Sequence, residues 1–279
     1  MVVFLNGQFV PEREAVVPVT DRGFLYGDGL FETLRVFQGK PFRMAQHLER
    51  LSRGAEYLGI KPPHPPEELQ RIAEELIAQN HLTDAVLRVT LTRGSGERGY
   101  TPGKDQKPTL VMTLHPAPLL DPQQPARCSL VTSAHCVPVG DGLAAFKTGN
   151  KLLQVMARTE ARDQGADEAL LLNANGEVAE AAGANIFWVY RDKICTVPKG
   201  RGPLPGITRA VVLEICQGLN LPTSKRVIKR DALRHCDGLF LTQSVLGVVA
   251  VASLDGEPVP HSPLVDQLHQ AYCGLLAKE

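Results

Sequence analysis

The sequence predicts two domains of mixed α/β or α+β class, rich in antiparallel strands. Three observations support this prediction. The 279 residues are enough for two modest domains with real cores. Apolar residues recur at strand spacing and at helix spacing in both halves of the chain. The proline-rich stretch HPAPLLDPQQPAR cannot be regular over most of its length. We therefore predict a first domain at 1–114, a linker at 115–127 and a second domain at 128–279.

The first domain alternates strands and helices. Asn6-Gly7 is a strong hairpin signal between two apolar runs, and Gln38-Gly39 marks a second turn. The strand-like runs are 2–10, 30–42, 85–94 and 108–116, and the helical patterns cover 44–59 and 66–79.

The second domain follows the same reasoning. We predict strands at 128–134, 168–173, 176–190, 193–198, 224–230 and 239–254, and helices at 151–164, 207–219 and 263–277.

Composition excludes several classes of function. Thirty basic and thirty acidic residues give no net charge, which argues against a protein that binds nucleic acid by neutralising phosphates. No apolar stretch is long enough to span a membrane, and the N-terminus lacks the pattern of a secretory signal, so we expect a cytoplasmic protein. The six scattered cysteines are expected to be free thiols. No histidine or cysteine spacing predicts a metal site.

Residues 94–99 match the G-x-G-x-x-G pattern of dinucleotide sites. That pattern needs a helix at its last glycine, and YTPGKDQKP follows instead, so a nucleotide-binding oxidoreductase is not favoured. We interpret the segment as a mobile hairpin tip that carries Arg98 and Tyr100.

Lys147 follows the apolar run LAAF, which we interpret as a strand, and precedes a Thr-Gly-Asn turn. Most lysines beside turns are solvated. A buried lysine, however, loses solvation and has a lowered pKa, which suits Schiff-base chemistry.

Glu180 is the one acid in a run of small residues, 179–184. Exposed strands favour bulkier residues, so a plain surface glutamate does not explain this run. A flat aromatic ring lying beside Glu180 would explain it.

PGIT, residues 205–208, ends a proline-rich turn and begins a helix. Free N–H groups at a helix start, with the hydroxyl of Thr208, can bind an anion, although a plain helix cap has the same sequence. Further hydroxyls follow at Thr242 and Ser244. Arg50, on the first helical pattern, could bind a phosphate or be solvated.

An amine, a carboxylate and an anion site are the three anchors that pyridoxal phosphate requires. A binding protein without a cofactor would need neither Lys147 nor Glu180.

The chain resembles the class IV pyridoxal-phosphate enzymes, which include branched-chain aminotransferases, D-amino acid aminotransferases and aminodeoxychorismate lyases. The matching stretches are 21–36, 47–51, 91–100, 146–150, 165–189, 205–209 and 240–251. The resemblance implies a two-domain class IV aminotransferase-like fold, with a small N-terminal α/β domain and a larger C-terminal pseudo-barrel domain. It also implies a homodimer that acts on small amino acids and 2-oxo acids.

By resemblance, Lys147 is the Schiff-base lysine and Glu180 is the partner of the ring nitrogen. The implied phosphate ligands are Arg50, Ile207, Thr208 and Ser244. The substrate candidates are Phe31, Arg35, Arg98 and Tyr100.

The subfamily stays open at this point. Arg98 falls where D-amino acid aminotransferases have a carboxylate-binding arginine, with Tyr100 in place of their histidine. LTRGSGERGY resembles the lyases, which form 4-aminobenzoate and pyruvate, whereas PGITR is closer to the aminotransferases. An aminotransferase is the favoured prediction and the lyase is the alternative.

Overall fold

The computed structural model describes residues 1–104 and 106–279. Contacts divide them into two compact units. Unit 1 comprises Met1–Pro118, Phe146–Asn150 and Glu279, and unit 2 comprises Leu119–Ala145 and Lys151–Lys278. The sequence-based division assigned all of 128–279 to the second domain. Phe146–Asn150 group with unit 1 instead, because their backbone is hydrogen-bonded to a strand of that unit.

Unit 1 is a six-stranded sheet with helices packed on it, in strand order β2-β1-β6-β5-β3-β4. Its elements are β1 (Val2–Leu5), β2 (Gln8–Pro11), α1 (Arg22–Tyr26), β3 (Gly29–Phe37), β4 (Lys40–Pro41), α2 (Met44–Leu58), α3 (Pro66–Asn80), β5 (Ala85–Thr92) and β6 (Thr109–Pro116). The predicted hairpins at Asn6-Gly7 and Gln38-Gly39 are confirmed, and all four turn residues have positive φ. The five-residue helix α1 was not predicted, because it is shorter than two helical turns and shows no apolar period.

The core of unit 1 lies between this sheet and the helices α2 and α3. Leu48, Leu51 and Ala55 of α2 are buried at helical spacing, and Leu34 of β3 belongs to the same cluster. Burying one apolar face of each helix explains why the 3.6-residue period located both helices correctly.

Unit 2 has a nine-stranded sheet in the order β12-β11-β10-β13-β14-β7-β8-β9, with β15 paired to β14. Its elements are β7 (Ala126–Val137), α4 (Leu152–Asp163), β8 (Glu168–Asn173), β9 (Val178–Ala181), β10 (Asn185–Tyr190), β11 (Lys193–Thr196), α5 (Ile207–Gly218), β12 (Thr223–Lys225), β13 (Gly238–Gln243), β14 (Gly247–Leu254), β15 (Glu257–Pro258) and α6 (Pro263–Leu276). Most pairs are antiparallel, while β7 pairs in parallel with both β14 and β8.

Three sequence expectations for unit 2 are wrong. Of the strand predicted at 224–230, only Ser224 and Lys225 lie in β12. Residues 176–190 form two strands, because the chain turns at Ala182-Gly183 and Ala181 and Ala184 exchange backbone hydrogen bonds. The LAAF run before Lys147 is not a strand: Gly142–Ala145 form a short 3-10 helix, and Leu143 is exposed.

All six cysteines are free thiols. Across the described ranges, no helix is both long and apolar enough to cross a membrane. No group of three or more His, Cys, Asp or Glu side chains in the same ranges is arranged to hold a metal ion.

Candidate active site

The segment that carries Lys147 is attached to β3 in unit 1. The N–H of Phe31 donates to the carbonyl oxygen of Lys147 at 2.9 Å, and the N–H of Gly149 donates to that of Gly29 at 2.8 Å. The approach is close: a Cβ on Gly27 would lie 2.3 Å from Oδ1 of Asn150. The backbone of Lys147 is therefore held in place from both sides.

The amine of Lys147 lies over an aromatic ring. Nζ is 4.8 Å from the centroid of Phe31, and the guanidinium carbon of Arg88 is 3.9 Å from the same centroid. Lys147 is half-buried, unlike a fully solvated surface lysine. Sequence reasoning missed Arg88. The signal was present, since Arg88 follows the alternating pattern of β5 and pairs with Thr33, but the register with β3 had to be known first.

Beside this lysine, a buried cluster joins Arg50, Glu32 and His47. Nε and Nη2 of Arg50 donate to the two carboxylate oxygens of Glu32 at 2.8 and 2.6 Å. Nδ1 of His47 is 2.7 Å from Oε2 of Glu32, and because a carboxylate only accepts, that nitrogen carries the proton. Arg50 was expected to bind a phosphate. One edge of its guanidinium, formed by Nε and Nη2, is held by Glu32, which fixes the direction in which the group faces.

Glu32 is ionised in this cluster. Burial alone would raise the pKa of its carboxyl, but the hydrogen bonds and charges of Arg50 and His47 outweigh burial, so the pKa lies below its ordinary value. The pKa of His47 is lowered as well. Burial is the largest cause, and the nearby Arg50 and Lys147 cations add to it. A neutral histidine therefore holds a charged carboxylate.

Arg35, a substrate candidate from the sequence, is used differently. Its guanidinium is buried, donates to the carbonyl oxygen of Pro118 at 2.8 Å and contacts Oδ1 of Asp84 at 3.3 Å. It also lies four residues beyond Phe31 on β3, which is about 13 Å along a strand. These contacts stabilise the end of the sheet.

Arg98 and Tyr100 lie on the exposed part of a loop of unit 1, residues 94–100. The carbonyl oxygens of Gly99 and Tyr100 accept from Arg22, and Tyr100 stacks edge-on against Tyr26. The glycines of this loop were interpreted as a source of mobility. At Gly94 and Gly96 their reason is close packing, because a Cβ would lie 1.8 Å from the carbonyl oxygen of Lys107 and 1.6 Å from Nε2 of Gln106.

Glu180 belongs to β9 of unit 2 and is half-buried. Its Oε2 accepts the N–H of Leu204 at 2.9 Å. The small residues around it do not form an open surface: Ala179 and Ala181 are each 1% exposed and pack in the cores on the two faces of the sheet. Core packing between neighbouring strands explains these alanines better than a ring lying on them.

Helix α5 begins at Ile207, three residues after Leu204. Its N-cap is Gly206, which has no side chain to accept the N–H groups of the first turn. A Cβ at this position would lie 2.0 Å from Oδ1 of Asn185, whose Nδ2 donates to the carbonyl oxygen of Leu204. Thr208 is buried in the first turn, and Ser244 lies half-buried on the turn between β13 and β14. An uncapped helix start with a hydroxyl beside it suits an anion.

Unit 1 contains a partly buried amine and two guanidinium groups. Unit 2 contains a carboxylate and a helix start that lacks a side-chain cap.

Comparisons with known proteins identify the family. A family model described as amino-transferase class IV matches residues 29–254. A D-alanine aminotransferase from Staphylococcus aureus is 32% identical over 97% of this chain and 96% of its own length. A Methanocaldococcus jannaschii protein, provisionally assigned as a branched-chain-amino-acid aminotransferase, is 36% identical over 93% of this chain and 90% of its own.

Solved structures share the fold. A branched-chain amino acid aminotransferase from T.th., solved with pyridoxamine 5′-phosphate, superposes with a TM-score of 0.92 at 28% identity, covering 99% of this chain and 94% of its own. A Legionella pneumophila protein provisionally assigned as a 4-amino-4-deoxychorismate lyase has a TM-score of 0.87 at 28% identity, with 96% of each chain covered. The two-domain fold predicted from the resemblance is confirmed by this similarity.

Proposed function

The chain belongs to the class IV aminotransferases, which are pyridoxal-phosphate enzymes, and we propose that it binds pyridoxal 5′-phosphate covalently through Lys147. The protein is a transaminase that moves an amino group between an amino acid and a 2-oxo acid. The residues that perform this reaction are the subject of the proposal.

The placement of Lys147 carries the proposal. Its backbone is bonded to β3, and its amine lies half-buried beside Phe31 in a neighbourhood that also contains Arg50 and Arg88. A fixed amine suits bond formation with a phosphorylated aldehyde, and the neighbouring cations attract its phosphate.

The other residues fit the remaining parts of this cofactor. Glu180 is assigned to the ring nitrogen, since a carboxylate stabilises a protonated nitrogen beside it. The N–H groups of Ile207 and Thr208, with the hydroxyls of Thr208 and Ser244, are assigned to the phosphate. Arg50 is assigned to the phosphate as well, since its two hydrogen bonds to Glu32 fix the orientation of its guanidinium.

When bound, the cofactor supplies an electron-accepting ring. Lys147 would move the proton: its Nζ would take it from the substrate Cα and deliver it to the cofactor carbon C4′. Glu180 would lie beside the ring nitrogen, where a carboxylate stabilises the protonated form of that nitrogen. Phe31 excludes water from one side of the amine.

A carboxylate-binding arginine completes the site. Arg98 is the candidate from the sequence, with Tyr100 beside it. Arg88 is a second candidate, because it contacts the same ring as the amine of Lys147. A planar guanidinium can hold a carboxylate with two parallel hydrogen bonds.

We propose that the amino donor is an amino acid of the kind described for the relatives. They are described as acting on branched-chain amino acids or D-alanine, which differ in the configuration at Cα. A small apolar side chain is common to these donors. The lyase remains the second candidate, since a solved structure with that provisional assignment shares the fold.

We also propose a cytoplasmic homodimer. Val16, Val19 and Phe24 in unit 1 are each more than 70% exposed, and so is Leu152 in unit 2. Exposed apolar side chains of this size are typical of a protein contact. Light scattering of the purified protein measures the mass, and a monomer at micromolar concentration would contradict the dimer. Cell fractionation tests the location.

The function is tested by supplying D-alanine, L-leucine and aminodeoxychorismate in parallel, with 2-oxoglutarate as acceptor for the first two. Glutamate formed from either amino acid supports the transaminase. 4-Aminobenzoate formed without glutamate would replace it by the lyase. Borohydride reduction and peptide mapping locate the cofactor independently, and we expect it on Lys147.

A further inference from the structure

Arg22 is a buried arginine that joins helix α1 to the loop of residues 94–100. Its side chain is 3% exposed. Nη1 donates to the carbonyl oxygen of Gly99 at 2.8 Å, and Nη2 donates to that of Tyr100 at 3.0 Å. Nε donates to Oδ2 of Asp28 at 2.8 Å, and the guanidinium lies over the ring of Tyr26. One planar group therefore contacts two successive peptides of the loop.

The two parts of this loop are held in different ways. Its first part is bonded through the backbone: Arg22 N–H donates to the carbonyl oxygen of Gly94, and Gly96 N–H donates to that of Thr20. Beyond Gly96 the bonds come from side chains of α1. Arg22 supplies two of them, and the hydroxyl of Tyr26 accepts the N–H of Gly99 at 3.0 Å.

Arg98 lies in this second part, directly before Gly99. Its own side chain is exposed. The orientation of its guanidinium towards a substrate depends on the position of its backbone. The hydrogen bonds from Arg22 and Tyr26 to Gly99 and Tyr100 set that position. A displacement of about one ångström is enough to lose much of a bidentate interaction.

We propose that Arg22 is a positioning residue for substrate binding, which fixes the loop so that Arg98 meets the substrate carboxylate. This inference rests on the role of Arg98 in the proposed function. Arg22 would then position the loop in addition to stabilising α1, and these two roles predict different effects of substituting it.

Arg93 is a matched control. It donates to both oxygens of the same Asp28, and it also donates to the carbonyl oxygens of Leu58 and Gly59. Its side chain is nearly as buried as that of Arg22, at 13% exposure. Arg93→Met thus removes an ion pair to Asp28 and a buried guanidinium, while both bonds from Arg22 to the loop remain.

The first measurement is tryptic cleavage between Arg98 and Gly99 in the folded holoenzyme, followed by mass spectrometry. Trypsin requires a locally released backbone, so the cleavage rate reports the attachment of the loop. We expect Arg22→Met to speed this cleavage at least about tenfold, because two hydrogen bonds from a charged donor are lost. Arg93→Met should leave the rate near that of the wild type. Equal rates for the two variants would overturn the inference.

The second measurement separates KM from kcat. Arg22→Met should raise KM for amino acids about tenfold, with a smaller change in kcat. In a chain that already carries Arg98→Ala, the same substitution should add nothing, because the group it positions is gone. An undiminished rise in KM in that background would contradict a role through Arg98.

Arg22→Lys keeps the charge beside Asp28 but not the planar fork. It should give intermediate cleavage and KM values even if Arg22→Met folds poorly. If Arg98→Ala alone leaves KM unchanged, the role of Arg98 in the proposed function fails, and the cleavage ratio still decides whether Arg22 holds the loop.

Discussion

The backbone N–H of Phe31 and the carbonyl oxygen of Lys147 are joined by a 2.9 Å hydrogen bond, although the two residues lie in opposite halves of the sequence. The lysine therefore belongs to the sheet of unit 1, and the residues that flank it in sequence, Leu119–Ala145 and Lys151–Lys278, belong to unit 2. This bond places the amine over the ring of Phe31 and in the neighbourhood of Arg50.

Lys147→Ala should remove both turnover and the visible absorbance of the bound cofactor, because no other amine is assigned to it. Lys151→Ala, four residues on, is the control and should keep both. Far-ultraviolet circular dichroism should be unchanged in either variant. Steady turnover by Lys147→Ala would remove the assignment.

Glu180→Gln should leave the cofactor bound but lower kcat about 100-fold, since the ring nitrogen loses its charged partner. The hydrogen bond to Leu204 is kept in this variant, because a glutamine oxygen can still accept the N–H of Leu204. Stopped-flow with an amino acid deuterated at Cα measures the proton-transfer step. An unchanged kcat would mean that Glu180 is structural.

Thr208→Val should weaken binding of pyridoxal phosphate about tenfold, because a hydrogen bond to a charged phosphate is lost. Binding of pyridoxal, which lacks the phosphate, should not change, and titration of the apoenzyme with both compounds measures the difference. Arg50→Ala is the less specific test, since it leaves Glu32 buried without its main partner. An equal loss of affinity for pyridoxal phosphate and for pyridoxal would mean that the phosphate binds elsewhere.

Arg98→Ala and Arg88→Ala distinguish the two carboxylate candidates. The arginine that binds the carboxylate should raise KM for amino acids about tenfold or more when removed, and should leave amines without a carboxylate nearly unaffected. Steady-state kinetics with both kinds of substrate decide between them. An equal rise in KM for amino acids and for amines would mean that Arg98 only packs the loop, or that Arg88 only supports the ring of Phe31.

Glu32→Gln should destabilise the fold by about 3 kcal/mol at neutral pH, because Arg50 and His47 lose a buried anion. The folded pKa of Glu32 lies below the unfolded value, so its ionisation stabilises the fold above the unfolded pKa. That contribution is lost as the pH falls through the folded pKa.

Thermal unfolding from pH 7 downwards tests this sign. The Tm difference between wild type and Glu32→Gln should narrow as the pH falls below about 4.3, the ordinary glutamate pKa. A difference that widened in acid would mean that Glu32 is protonated in the fold.

Local sequence determined much of this protein. The apolar period located α2 and α3 within two residues of their observed ends, and positive-φ turn residues located the hairpins at Asn6-Gly7 and Gln38-Gly39. These features depend on neighbours a few residues apart. The same is true of the motifs around Lys147 and Glu180, whose residue types and context identified the family.

Tertiary structure alone decided how these residues are used. Strand register placed Arg88 beside the ring that Lys147 contacts. The alanines near Glu180 are buried in the core. Arg35 stabilises the end of a sheet through its bond to Pro118. The Arg50–Glu32 and Arg22–Tyr100 bonds join residues that are distant in sequence. Such pairs leave no periodic signal, because which side chains meet is set by the folded backbone and not by their spacing along the chain.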